Sequence, residues 1–224
     1  MKTIKKYTSI VLLFVLLNSL NINAKEFSDS LYQHSMNQAL SKLDTAKTVA
    51  EIQESKVLFE RISHIKSSEW IPIYYIAYCN INSVYNDSKS KRNQAFLEEA
   101  KKYIDKLKKN KKANLSEIYT LEAYYYMAII SMDPEANGQK YFSNVVSSYE
   151  KAMELDPNNP RPICLLAFFE QQLPPFLRSK RNTTEELEKA RSLFEQETKN
   201  ISAPYWGEMY LNYIKTDKGE KEIQ

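Results

Sequence analysis

The chain has 224 residues, of which 12% are aromatic, with 16 tyrosines, 8 prolines and only 3 glycines. Its formal charge of +3 arises from 31 basic against 28 acidic residues, and three of those lysines lie in the first six positions. The remainder is balanced and lacks the basic field of a nucleic-acid binder, while so few glycines exclude glycine-punctuated strands and a phosphate-cradling loop.

Residues 1–24 have the layout of a secretory signal peptide. Lys2, Lys5 and Lys6 precede an apolar run from Ile10 to Leu17, and a polar stretch ends at Ile22-Asn23-Ala24, with cleavage expected after Ala24. The apolar run is too short to span a bilayer. No cysteine stands near the cleavage point, so the product is expected in the periplasm or outside the cell, not lipidated and without a stable membrane anchor. About 200 residues then remain, enough for one domain with a continuous core.

A first helix is expected over Ser28–Leu43. From there one pattern recurs four times at intervals of 45 residues, anchored at Phe59, Ile104, Tyr149 and Phe194. Four positions before each anchor come Ser55, Ala100, Val145 and Ala190; the residue after it is acidic (Glu60, Asp105, Glu150, Glu195); three positions on come Ile62, Leu107, Ala152 and Glu197. Three of the four copies thus keep apolar residues at i, i+4 and i+7, one face of a helix. A second ladder interleaves: Ala77, Ala128, Ala167 and Gly207 each follow two bulky residues. A small side chain between large ones lets a neighbouring helix approach closely. Each repeat therefore has two helices, A with the small residue and B with the anchor, and internal repetition of this length implies a solenoid. An A-type helix over Tyr205–Lys215 is expected to cap the array, with residues 217–224 a flexible tail.

The step from anchor to next small residue is 18 for both Phe59–Ala77 and Tyr149–Ala167, whereas the reverse steps are 27, 21 and 27. The surplus is expected in enlarged turns along one edge, at Asn82–Asn93, Ser131–Lys140 and Gln171–Asn182. Two of these end alike, in Ser90-Lys91-Arg92-Asn93 and Ser179-Lys180-Arg181-Asn182. Each asparagine is a candidate N-cap for the following helix. Lys91, Arg92, Arg178, Lys180 and Arg181 form a candidate basic edge for an anionic partner.

Catalytic arrangements are scarce. His34 and His64 lie in different helices without a second ligand at metal spacing, and no Gly-x-Ser-x-Gly elbow occurs, so no enzyme activity, metal or cofactor is expected. Acidic clusters such as Glu98-Glu99 and Glu185-Glu186-Glu188 open B helices, where they offset the helix dipole. A carbohydrate-active enzyme would need Glu122 and Glu208 brought together across a cleft. Cys79 and Cys164 fall on A helices two repeats apart, about 20 Å at ~10 Å per helix layer and beyond disulfide reach, so both are read as small apolar fillers.

The stretch Tyr149-Glu-Lys-Ala152-Met-Glu-Leu-Asp156-Pro157-Asn-Asn-Pro160 resembles the tetratricopeptide repeat (TPR) family, and the resemblance extends in degenerate form over roughly residues 28–215. Glu69-Trp70-Ile-Pro-Ile-Tyr-Tyr-Ile-Ala77, Met132-Asp133-Pro134 with Gly138-Gln139-Lys140-Tyr141, and Pro204-Tyr205-Trp206-Gly207 also resemble small secreted TPR-like proteins of Bacteroidetes-type bacteria. Leu173-Pro174-Pro175-Phe176-Leu177-Arg178 departs from that group, where a glycine-rich loop is expected. The resemblance implies an all-α, TPR-like α-solenoid of about four hairpins over residues 25–216 with a C-terminal capping helix. It also implies that A helices line an inner groove through positions three before and one after the small residue. Those are Tyr74 and Tyr78, Tyr125 and Ile129, Cys164 and Phe168, with Glu122 and Arg161 six before. Such an aromatic, lightly charged groove suits a peptide or protein partner; alternatively its rings pack against the next repeat or the C-terminal helix. The function implied is an exported, noncatalytic scaffold that binds such a partner and no nucleic acid. The alternative is a self-assembling envelope protein, a homo-oligomer with a second copy in the groove.

Overall fold

The computed structural model describes residues 29–213, so the expected signal peptide (1–24) and tail (217–224) lie outside the described residues. Within them the secondary structure is entirely helical: α1 (29–45), α2 (Val49–Ile65), α3 (Ile71–Asn86), α4 (Asn93–Lys108), α5 (Leu115–Met132), α6 (Pro134–Leu155), α7 (Pro160–Gln171) and α8 (Thr183–Gln196), with 3-10 turns at Pro175–Leu177 and Glu208–Asn212. From α2 onward each helix packs on the next, and α3, α5 and α7 also pack side by side. The odd-numbered helices form one layer and the even-numbered helices a second, giving the stacked hairpins of an all-α solenoid.

Local chemistry sets most of the boundaries. Thr48 opens α2 with a capping box: its side chain accepts from the Glu51 amide while the Glu51 carboxylate accepts from the Thr48 amide. Asn114, Asp133, Asn159 and Asn182 cap α5, α6, α7 and α8 through their side-chain oxygens. Asn93 does not act as expected. It is the first helical residue of α4, and its Nδ2 donates to the Asp87 carbonyl at 2.8 Å, which fastens the preceding turn.

The anchors fall at like points of the even-numbered helices, with Phe59, Ile104 and Tyr149 wholly buried and Phe194 nearly so. Ala77, Ala128 and Ala167 are buried within α3, α5 and α7, where their size lets adjacent helices meet. Phe59 shows the complementary role of the large residues: its ring stacks on Tyr75 with centroids 5.0 Å apart.

The surplus residues are distributed differently from the sequence expectation. α3 continues to Asn86, which leaves a short turn before α4. At the second position no loop forms, because Asp133 and Pro134 supply a cap and a preorganised first turn at once, and the extra length becomes part of the 22-residue α6. Of the three expected enlarged turns, the third alone, residues 172–182, forms an extended loop. The expected closing helix over Tyr205–Lys215 is also modified: residues 204–207 are irregular, a 3-10 turn covers Glu208–Asn212, and Lys215 lies outside the described residues. Gly207, with φ of 102°, turns the chain through a left-handed conformation that an α-helix cannot contain.

Truncating an anchor removes a ring from the seam between the layers. Phe59→Ala is expected to lower unfolding free energy by about 3–5 kcal/mol, whereas Lys111→Ala in the exposed turn between α4 and α5 shifts it by less than about 0.5 kcal/mol. Urea denaturation followed by circular dichroism measures both.

Candidate binding cavity

Helix α3 carries Tyr74, Tyr75, Tyr78, Asn82 and Tyr85 within one stretch, and Tyr78, Asn82 and Tyr85, at i, i+4 and i+7, share a face. Opposite them α5 presents Tyr124, whose ring stacks on Tyr85 at 4.7 Å and whose hydroxyl donates to Asn82 Oδ1 at 3.0 Å. The last described segment, 197–213, folds back over this face as a strap. Its Trp206 ring lies 4.7 Å from Tyr78 and 4.9 Å from Tyr124. Tyr210 is hydrogen-bonded to the Tyr124 hydroxyl at 2.8 Å and packs edge-on against Phe168 of α7 at 4.9 Å.

A buried ionic cluster holds the strap. Arg161 Nε donates to Glu117 at 3.1 Å, one terminal nitrogen donates to Glu197 at 2.7 Å, and the other donates to the Pro204 carbonyl at 2.9 Å. Glu117 also accepts from Asn159 at 2.9 Å and from Tyr74, and Tyr74 in turn accepts from Trp206 Nε1 at 2.9 Å. The Tyr205 amide donates to the Tyr75 hydroxyl at 2.9 Å. Burial opposes the charged form of Arg161, yet Glu117 and Glu197 together raise its pKa and keep it protonated. Burial raises the pKa of Glu117, and the Arg161 guanidinium offsets this only in part. Gly207 fits the same cluster, since a Cβ there would stand 3.1 Å from Arg161 Cγ.

Between the strap, α3, α5 and the α1–α2 junction lies a cavity of about 630 Å3. Its walls include Tyr75, Tyr78, Tyr85, Tyr124, Tyr205, Trp206 and Tyr210, with Leu43, Ala46, Ile52 and Phe194 completing the apolar surface. Charged side chains on its lining are Asp44, Glu197, Lys199 and Glu208. The volume falls within the ~300–1,000 Å3 usual for small-molecule sites. Large rings with their hydroxyls already hydrogen-bonded make a rigid wall suited to a flat, polarisable ligand.

Of the residues taken from the sequence as groove-lining, Tyr78 lines this cavity. Tyr74 is wholly buried, and Arg161 and Glu122 are buried at 2% and 6% exposure, so these three are internal and not available to a partner at the surface. Tyr74 and Arg161 are covered by the strap they hold, and Glu122 is ion-paired with Lys108 of α4. Tyr125 and Ile129 are half-buried and outside the cavity lining; Tyr125 contacts Tyr126, which stacks on Tyr141 of α6. Phe168 is half-buried beneath Tyr210. The basic edge is dispersed into local work: Arg178 donates to the Leu173 and Gln171 carbonyls, Arg181 pairs with Glu170 and Glu186, and Arg92 lies over Phe96. Lys91 and Lys180 are exposed, and none of the five lines the cavity. Glu122 and Glu208 are not joined in a cleft, since only Glu208 belongs to the lining.

His34 and His64 are exposed and outside the cavity, and no cluster of His, Cys, Asp and Glu fit to hold a metal occurs among the described residues. Cys79 and Cys164 are free and buried. Burial pushes the Cys164 thiol up to about 12. No helix among the described residues is long and apolar enough to cross a membrane. Sequence reasoning missed Tyr75, Tyr85, Tyr124 and Tyr210 as cavity residues. The spacing of Tyr78, Asn82 and Tyr85 on one helix face was the available signal for the first wall.

No protein-family model and no curated protein matches the chain. Among solved structures it is similar to the HusA haemophore from Porphyromonas gingivalis, with a TM-score of 0.73 and 26% sequence identity over 86% of this chain and 94% of that one. That neighbour comes from a Bacteroidetes species, in keeping with the resemblance seen in the sequence.

Two consequences follow for stability. Replacing Arg161 by Met leaves Glu117 buried without its counterion, which is expected to cost about 3–5 kcal/mol and to accelerate hydrogen exchange at the Tyr205–Tyr210 amides. Burial holds Tyr74, Tyr85, Tyr124 and Tyr149 well above their ordinary value of 10.0. Because the folded protein binds these protons more tightly than the unfolded chain, their contribution is intact below pH 10 and is lost as pH rises beyond it. The share of tyrosinate absorbance that belongs to these four is therefore expected to appear together with loss of helical circular dichroism, and not before it.

Proposed function

We propose that the chain is an exported, noncatalytic, TPR-like binding protein whose cavity takes a flat aromatic molecule of tetrapyrrole size, with haem the foremost candidate. The observation that carries this is the ring-walled cavity itself, found in a fold similar to that of a haemophore. Burying about 400 Å2 of apolar ligand surface at ~25 cal/mol per Å2 yields about 10 kcal/mol before the entropic cost of association. An association cost of about 4 kcal/mol leaves about 6 kcal/mol, a dissociation constant on the order of tens of micromolar before specific contacts are added. Ring contact with Tyr78, Tyr124 and Trp206 adds a preference for a planar ligand. Haem enters this account as cargo, not as a resident cofactor.

The chemistry of the lining favours holding the macrocycle by its faces. No histidine lines the cavity among the described residues, and burial raises Tyr78, Tyr85 and Tyr124, which keeps their hydroxyls neutral and weakly suited to bind iron. The signal-like layout of residues 1–24 supports export, where a carrier of scarce apolar cargo would act.

A second reading keeps a peptide or protein partner in the same concave face. It is supported by the way that face accepts the chain's own strap, an irregular segment anchored by Trp206 and Tyr210. On this reading a partner segment would displace or extend the strap.

Titration of residues 25–224 with ferric haem, followed by haem absorbance, separates the two. Saturable binding near one haem per chain is expected, weakened at least about tenfold in the Tyr78→Ala, Trp206→Ala double variant and unchanged in Tyr126→Ala on the far side of α5. Absence of saturable binding would remove the haem reading; specific capture of an envelope protein that is lost in Tyr78→Ala would then support the second.

A further inference from the structure

We infer that Lys199 recognises a carboxylate on the cavity's ligand, and that Asp44 is a built-in competitor that holds Lys199 at the cavity mouth until such a ligand arrives. The inference rests on the small-molecule reading above and specifies the ligand class further: a flat aromatic body with an acidic edge.

The charges on the lining are unequal in availability. Glu197 is bound by Arg161 at 2.7 and 2.9 Å through its two oxygens. Arg161 in turn has every edge engaged, on Glu117, Glu197 and the Pro204 carbonyl, and is not part of the lining. Lys199 is the sole cation that lines the cavity among the described residues. It shares the lining with three carboxylates, Asp44, Glu197 and Glu208, so the lining carries an excess of negative charge and a ligand carboxylate finds its only cationic partner there at Lys199.

Lys199 and Asp44 are joined in an ion pair that bridges the loop after α8 to the end of α1, with side chains 49% and 41% exposed. Residues that line a cavity and are also this exposed stand at its opening. The Lys199 ammonium lies 5.1 Å from the centroid of the Tyr205 ring, itself part of the wall. An acidic ligand edge at the mouth would therefore meet Lys199 while the apolar body enters among the rings. Ion pairs so exposed contribute little to stability, so exchange of the Asp44 carboxylate for a ligand carboxylate has a low barrier in free energy. Asp44 remains beside the exchanged pair and weakens it by like-charge repulsion.

The two residues must then act on affinity in opposite directions, which a merely structural bridge would not produce. Wild type, Lys199→Gln and Asp44→Asn forms of residues 25–224 are titrated at low ionic strength with protoporphyrin and with its dimethyl ester, with porphyrin fluorescence as the readout. Lys199→Gln is expected to weaken protoporphyrin binding about fivefold and Asp44→Asn to strengthen it about threefold, with the ester changed by less than about twofold in either variant. Equal shifts for acid and ester, or both variants weakening binding alike, would assign the pair a structural role and overturn the inference while the cavity reading stands. Failure of wild type to bind either porphyrin would remove the cavity reading and this assignment with it.

Discussion

The arrangement of the cavity depends on one buried cation. Arg161, at 2% exposure, is surrounded by two carboxylates and a main-chain carbonyl, Glu117 from α5 and Glu197 and Pro204 from the strap. Desolvating a guanidinium is costly, and the cost is offset only when each donor finds an acceptor in good geometry. That requirement specifies where Glu197 and Pro204 lie and hence fixes the strap against the odd-numbered helices. Without the strap, the inner layer would present an open apolar face to solvent.

The tyrosines couple this constraint to the cavity. A phenylalanine in place of Tyr74 would fill the same space, yet it would interrupt the path from Trp206 through Tyr74 to Glu117 and Arg161. Tyr124 similarly joins α3 to the strap through Asn82 and Tyr210. The rings supply apolar area and their hydroxyls fix orientation, so the walls are organised before a ligand arrives and less ordering entropy is lost on binding. The unusual tyrosine content thus has two roles, core cohesion and a polar lattice behind a flat apolar wall.

The position of the strap also explains why the groove inferred from the TPR resemblance was only partly found. Positions three before and one after the small residue name the face of an A helix that looks toward the solenoid interior. In this chain the interior is occupied by residues 204–213, which cover Tyr74 and Arg161 and leave Tyr78 at the edge of the remaining space. On α5 the ring that reaches the cavity is Tyr124, four positions before Ala128, while Tyr125 packs on the hydrophobic cluster built by α1 to α5 and lies outside the lining. A shift of one residue on a helix rotates a side chain by about 100°, enough to move it from cavity to flank.

The sequence by itself determined the helical hairpins, the burial of Phe59, Ile104, Tyr149 and Phe194, and the place of the caps at Asn182 and the small residues at Ala77, Ala128 and Ala167. These depend on neighbours within a turn or two, and local periodicity records them. Only the tertiary structure decided that Arg161 is internal and that the last segment turns back at Gly207 to complete a cavity. The contacts responsible join Tyr75 to Tyr205 and Tyr74 to Trp206 across 130 and 132 positions. Partners so remote leave no periodic trace, because their pairing is selected by packing and charge satisfaction in the folded molecule and not by the succession of residues along the chain.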